Sequence, residues 1–268
     1  MSGNNIYNNY INNTGGGIYT RYQKDMEIIG NVIINSSYDS VTNHWATQGG
    51  GIIFAKNDAY QKTIMNANIK VYNNTIADNS RYGIENFTSN NVNIKNNIIS
   101  NNNYWHIRFL FPSSFAADTS CHIDNNLYYS SSSYTDWMWN GHELNFSSWK
   151  DSCKGDGKAI INKNPSFVGS GNYNLQYGSP AKNAGVGLQS EGVITDILNN
   201  PRPYWNKDYD IGAYEVQGDA QLKIGIAKPP SSAVHFTISS PGMYWERNSG
   251  GYFIISSNST FSTSSCKV

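Results

Sequence analysis

The chain has 268 residues, enough for one large domain or two small ones. Its formal net charge is 0 and charged residues make up 14%, against a typical ~25%, while aromatics reach 13%. That balance excludes charge-driven disorder and an electrostatic nucleic-acid partner, and no apolar run is long enough to span a bilayer as a helix.

The opening, MSGNNIYNNYINN, has neither a basic start nor an apolar stretch, so it reads as lacking a leader. Polarity comes instead from 38 Asn and 32 Ser, over a quarter of the chain. Asn favours turns and left-handed positions, and such a bias calls for a search for repeats. Five segments align on an Asn: Asn9-Tyr-Ile11, Asn31-Val-Ile33, Asn74-Thr-Ile76, Asn97-Ile-Ile99 and Asn126-Leu-Tyr128. Their spacings are 22, 43, 23 and 29 residues. Three residues before each Asn stand Ile6, Ile28, Val71, Ile94 and Ile123. Alternation on both sides of an Asn reads as two short strands meeting at a corner. Gly17-Ile18, Gly51-Ile52, Gly83-Ile84 and His106-Ile107 mark a third strand. Three short strands in 22 or 23 residues make one coil of a parallel β-helix. Stacked coils place equivalent residues ~4.8 Å apart, so inward Asn side chains form an amide ladder.

Residues 3–130 therefore resemble the right-handed parallel β-helix repeats of secreted polysaccharide lyases, glycoside hydrolases and related surface proteins. Residues 145–185 look like the segment that closes many bacterial β-helix proteins. Phe146, Trp149, Gly155, Asp156, Pro165, Phe167, Leu175, Ser179, Pro180, Ala181 and Gly185 fall where that pattern expects them. Pro201-Arg202 and Asp210-Ile-Gly-Ala-Tyr-Glu215 look like its terminal signature. Asn183 departs from the acidic residue usual there, Asn199-Asn200 from an Asp-Gly, and the Asp of the glycine-flanked segment, Asp156, sits one position early. The resemblance implies an all-β fold, a right-handed parallel β-helix, on which lyases, hydrolases, epimerases and non-catalytic proteins all occur.

On this reading residues 1–217 are the β-helix with loop insertions and its closing segment. Residues 218–268 are a small β appendage, from the alternation in QLKIGIAK, AVHFTISS and GGYFIISS. The first coil carries no cap, which points to the C-terminal part of a longer protein or to a homo-oligomer joined through that end. The family implies an extracellular or cell-surface location and a polysaccharide partner.

Candidate chemistry follows from the columns. Glu85 and Arg108 stand 23 residues apart and stack on neighbouring coils. His106, two residues before Arg108, is expected on the same side. Together with Asp39, His44 and Trp45 from the insertion above, they form the most cleft-like constellation. A lyase needs a base and a cation for the developing charge, a demand His106 and Arg108 can meet. A hydrolase needs two carboxylates about 5 Å or roughly 6.5–9.5 Å apart, for which Glu85 with Asp39 or Asp78 are candidates. The plainer alternative is a Glu85–Arg108 ion pair on a solvated face. Glu27 over Lys70 and Lys95 over Asp124 read as surface charge laddering. Sugar rings stack on aromatic faces, so Trp45, Trp105, Trp137 and Trp139 are candidates for substrate binding, whereas Trp149 reads as packing. No metal motif occurs; the loops can admit Ca²⁺ through carboxylates and carbonyls, but no Asp cluster demands it. Cys121 reads as a buried thiol, and Cys153 with Cys266 pair only if the tail folds back. The function expected is binding, with cleavage, of an extracellular polysaccharide. The alternative is a structural or adhesive surface protein that stacks into oligomers.

Overall fold

A computed structural model describes residues 5–7, 10–11, 16–20, 24–38, 50–55, 67–87, 90–110, 121–132, 137–205, 207–218, 244–247, 253–256 and 265–266. The chain divides into two compact units, 1–216 and 217–268.

The first unit is a stack of coils built on three sheets. The first sheet holds Glu27–Ile29, Ala67–Tyr72, Asn90–Lys95 and His122–Asp124, all parallel. The second holds Asn5–Tyr7, Val32–Ile34, Thr75–Ala77, Ile98–Ser100, Leu127–Tyr129 and Ile160–Ile161. The third holds Ile18–Thr20, Ile52–Phe54, Ile84–Asn86, Ile107–Phe109 and Trp137–Trp139, and ends on antiparallel His142–Leu144. The register matches the predicted columns from the second coil onward: Ile33 pairs with Ile76, Ile76 with Ile99 and Ile99 with Tyr128. Direct pairing of 27–29 with 70–72 makes the spacing of 43 a single coil with insertions.

The first coil differs from expectation. Ile6 pairs with Ile33 rather than standing over Ile28, so it belongs to the second sheet. Asn4-Asn5-Ile6 repeats the Asn-x-Ile spacing of Asn9-Tyr-Ile11. An Asn-rich stretch thus offers two registers of equal pattern, and backbone pairing selects one.

Inward Ile, Val and Phe residues of all three sheets form one core, including Ile28, Ile33, Ile52, Val71, Ile76, Ile84, Ile94, Ile99 and Ile107. The Asn ladder runs along its corner. Asn31 Nδ2 donates to Asn74 Oδ1 at 3.1 Å, Asn74 to Asn97 at 3.0 Å, and Asn97 to Asn126 at 3.0 Å. Asn126 in turn donates to Asp156 Oδ1 at 3.5 Å, so an acceptor-only carboxylate ends the ladder. A second buried step joins Asn79 to Asn102 at 2.8 Å. Other Asn residues serve a different need. Asn73, Asn96 and Asn125 hold φ of 52–56° at one corner, and Asn35, Asp78 and Asn101 hold 50–56° at the next. Asn and Asp tolerate this left-handed conformation because their short polar chains bond locally.

A helix, Phe146–Cys153, packs at one end of the stack. Asn145 caps it, accepting from Ser148 N at 3.0 Å, and Trp149 is buried beneath it against Phe109, Trp137 and Trp139. The segment that follows lies across the outer face of the second sheet. Leu175, Ala181 and Ile211 bury Ile98 and Leu127, and Tyr173 and Ala213 bury Val32, Ile34 and Ala77. At Gly212, φ is +100° and a Cβ would stand 2.6 Å from Ile98 Cδ1, so only glycine fits. Arg202 pins this segment: Nη1 reaches Glu215 Oε2 at 3.0 Å and Asp210 O at 3.1 Å, and Nη2 reaches Gly212 O at 2.7 Å. The two halves of the terminal signature are thus one buried cluster.

The second unit contains a three-stranded antiparallel sheet, Tyr244–Arg247, Phe253–Ser256 and Ser265–Cys266. Of the three stretches expected to be β, part of GGYFIISS is strand; QLKIGIAK and AVHFTISS lie outside the described residues.

Candidate functional site

The outward row of the third sheet carries Ile53, Glu85, Arg108 and Met138 in register. Glu85 Oε1 and Arg108 Nη1 stand 2.5 Å apart. The pair forms as expected, but the face is covered rather than solvated: the Glu85 side chain is 0% exposed and that of Arg108 14%. Aromatic residues from the corners on either side of the strand supply the cover. The Arg108 guanidinium lies 5.0 Å from the Tyr82 ring, 5.1 Å from Trp105 and 5.7 Å from Phe87, and it donates to Tyr82 Oη at 3.0 Å. Trp105 stacks on Tyr82 at 5.2 Å and 18°. Tyr104 extends the patch outward at 48% exposure, with Arg81 5.6 Å from its ring. Burial pushes the Glu85 carboxyl up to about 8, although Arg108 draws it down. Its Oε2 is buried without a hydrogen-bond partner. Glu85 therefore orients Arg108 and does not reach solvent.

His106 does not share this side. It is buried in the interior, with its ring 5.2 Å from Tyr128 and 5.1 Å from Trp137. It occupies the column of Gly51 and Gly83, at the corner before the strand, where strict strand alternation has not begun. Burial lowers its pKa to about 3, so the ring is neutral. Trp137 is likewise core rather than a sugar platform, and Trp139 packs on Phe109 and Trp149. Their strand is the last parallel one of the third sheet, and antiparallel His142–Leu144 pairs on its far edge. Trp149 packs as expected. Asp39, His44 and Trp45 lie outside the described residues. Asp78 accepts from Tyr173 Oη of the closing segment at 2.5 Å.

Of the two stacked charge pairs on the first sheet, Glu27 with Lys70 forms an ion pair. Lys70 Nζ stands 3.0 Å from Glu27, and the closing segment adds Glu191 at 3.1 Å. These carboxylates, Glu27 first, raise the Lys70 pKa, so its ammonium is no base. Lys95 is the register neighbour of Asp124 but forms no ion pair with it; Asp124 Oδ1 accepts from Lys158 N at 2.9 Å. Asp156, one of the residues of the closing pattern, is a buried hub. It accepts from Tyr128 Oη at 2.6 Å and Trp149 Nε1 at 3.0 Å. Burial nevertheless pushes its carboxyl up to about 6 against these donors. Cys121 and Cys153 are buried, and burial raises the Cys153 thiol to about 12. Among the described residues no cluster of His, Cys, Asp or Glu can hold a metal ion.

Sequence reasoning passed over Arg81, Tyr82 and Phe87. A signal for two of them existed: Arg81-Tyr82 stands one coil, 23 residues, before Tyr104-Trp105, so the pairs are stacked neighbours. The backbone confirms this, with Tyr104 N donating to Arg81 O at 2.9 Å.

Parallel coils and an amide ladder define the class as a β-solenoid. The chain belongs to the family described as right handed beta helix region, whose model matches residues 1–148. No curated protein matches the chain. Among the described residues no helix is long and apolar enough to cross a membrane.

Proposed function

We propose that this chain is an extracellular or cell-surface carbohydrate-binding β-helix protein that holds a polysaccharide along the flank of its third sheet. One observation carries the reading. Tyr104 and Trp105 are gathered with Arg81 on one outer patch over buried Tyr82 and the covered Arg108, with Tyr104 about half exposed. Flat rings offer apolar contact to sugar C–H faces, and guanidinium groups donate to hydroxyls and carboxylates. Binding is supported better than cleavage. Hydrolysis needs a pair of carboxyl groups that reach the bond, and Glu85 is sealed beneath Arg108. A lyase base must reach the sugar proton, and His106 is in the core. The burial of both favours the second reading, an adhesive or structural surface protein without turnover.

The test is retention of the whole protein in gels containing acidic or neutral polysaccharides, with product release measured in parallel. Binding is expected with one class, and Trp105→Ala is expected to weaken it at least tenfold. Glu85→Gln retains binding if Arg108 keeps its aromatic seat. No retention with any polymer, or full binding by Trp105→Ala, would overturn the reading. Product release that Glu85→Gln abolishes would restore a catalytic role to Glu85.

A further inference from the structure

We infer that the groove between the second sheet and the closing hairpin is a subsite for a neutral sugar ring. The inference deepens the carbohydrate reading on residues that reading does not use. The groove encloses about 430 Å³, within the ordinary range for small-molecule sites. One wall is the ends of Ile98–Ser100 and Leu127–Tyr129; the other is residues 164–167 and Gly169 with Gln176, at the hairpin of Phe167–Gly169 and Asn172–Leu175.

Its lining is uncharged: Ser100, Asn101, Tyr129, Asn164, Phe167 and Gln176 carry its polar and aromatic surface. The amides are already oriented by the backbone. Asn101 Oδ1 accepts from Ser131 N at 3.0 Å, and Asn164 Oδ1 accepts from Ser166 N at 2.8 Å. Each amide therefore keeps its Nδ2 as a donor. Gln176 Nε2 donates to Phe167 O at 3.0 Å, which leaves Oε1 as an acceptor. Two fixed donor groups and one fixed acceptor suit a ring of hydroxyls, which both give and take hydrogen bonds.

A second, independent observation points to a ligand. Ser100 is 1% exposed, and its Oγ has no hydrogen-bond partner. Ser100 shares the outward side of its strand with Ile98, whereas Ile99 faces the core. A buried hydroxyl without a partner is costly, and such groups call for an explanation. Its Oγ is sealed from water as the groove stands, so a hydroxyl of the bound sugar supplies the missing partner once the Ser100 side chain turns to another staggered rotamer. A carboxylate or sulfate would find no cation in this lining, so a neutral ligand fits better than an acidic one.

The experiment titrates the whole protein with glucose, galactose, N-acetylglucosamine and maltose by calorimetry, with galacturonate as the charged counterpart. At least one neutral sugar is expected to bind saturably. Ser100→Ala and Asn164→Ala are each expected to weaken it about tenfold, and Trp105→Ala to leave it unchanged. Ser100→Ala should keep the parent melting temperature, because it removes an unpartnered hydroxyl; lost binding then does not report unfolding. The inference is overturned if no neutral sugar binds, if both groove variants bind as the parent does, or if galacturonate binds as well as galactose. Polymer binding that Trp105→Ala abolishes, with no sugar in the groove, sinks this inference alone. Sugar binding in the groove with no polymer retained sinks the flank reading alone.

Discussion

Asn97 is the most informative position in the amide ladder. Its Oδ1 accepts from Asn74 N at 2.9 Å and Asn74 Nδ2 at 3.0 Å. Its Nδ2 donates to Val71 O at 2.8 Å, Lys95 O at 3.0 Å and Asn126 Oδ1 at 3.0 Å. Asn97→Ala removes all of these. Some partners keep other contacts: Asn74 Nδ2 still reaches Ile28 O, Lys95 O still accepts from Asn73 N, and Asn126 Oδ1 from Asn97 N. The Asn74 N–H is left buried without its acceptor, which costs about 1–3 kcal/mol. The lost bonds of the amide add about 1 kcal/mol or more, so the expected loss is about 2–4 kcal/mol. Urea unfolding followed by tryptophan fluorescence measures it, with exposed Asn103→Ala expected within about 0.5 kcal/mol of the parent. Asn97→Asp sharpens the test. It keeps the acceptor but turns a carboxylate oxygen toward Val71 O and Asn126 Oδ1, so it is expected to be worse at pH 7 than at pH 4. An Asn97→Ala protein as stable as the Asn103→Ala control would refute the ladder as a source of stability.

Two further outcomes follow from burial. His106, held near 3 rather than 6.5, contributes stability that is full above pH 6.5 and is lost as pH falls toward 3, because the unfolded chain takes the proton first. The ring resonances of His106 should stay fixed from pH 8 to 5, and a titration near 6.5 would contradict its placement in the core. Gly51→Ala sets a Cβ 2.3 Å from Ile76 Cγ2 and 2.9 Å from Gly83 O, an overpacking expected to cost about 1–3 kcal/mol or more. Gly157→Ala meets nothing within 4 Å, so equal melting temperatures for the two variants would show that the coils are not packed this closely.

Much of the solenoid was legible because stacking imposes one spacing on every column. Ile28, Ile33, Ile76, Ile94 and Ile99 repeat with their Asn neighbours, and the structure pairs them as the columns require. The first coil was ambiguous for the same reason, since an Asn-rich stretch matches itself in more than one register. Glu85 over Arg108 was legible from the spacing of 23. The cover over the pair was not, because Tyr82, Phe87 and Trp105 come from corners, where alternation carries no rule. His106 failed likewise: a residue before a strand does not follow the strand's sidedness.

The amino-acid sequence by itself determined the repeat, the coil size, the amide corner and the closing signature. Each follows from local periodicity or from residue types whose backbone preferences act within a few positions. Only the tertiary structure decided which polar groups are reachable. It sealed Glu85 and His106, packed Trp137 and Trp139 against Trp149, and set Ser100 in a groove opposite Phe167. The physical reason is that burial is a property of neighbours distant in the chain, and no single column of the repeat records it.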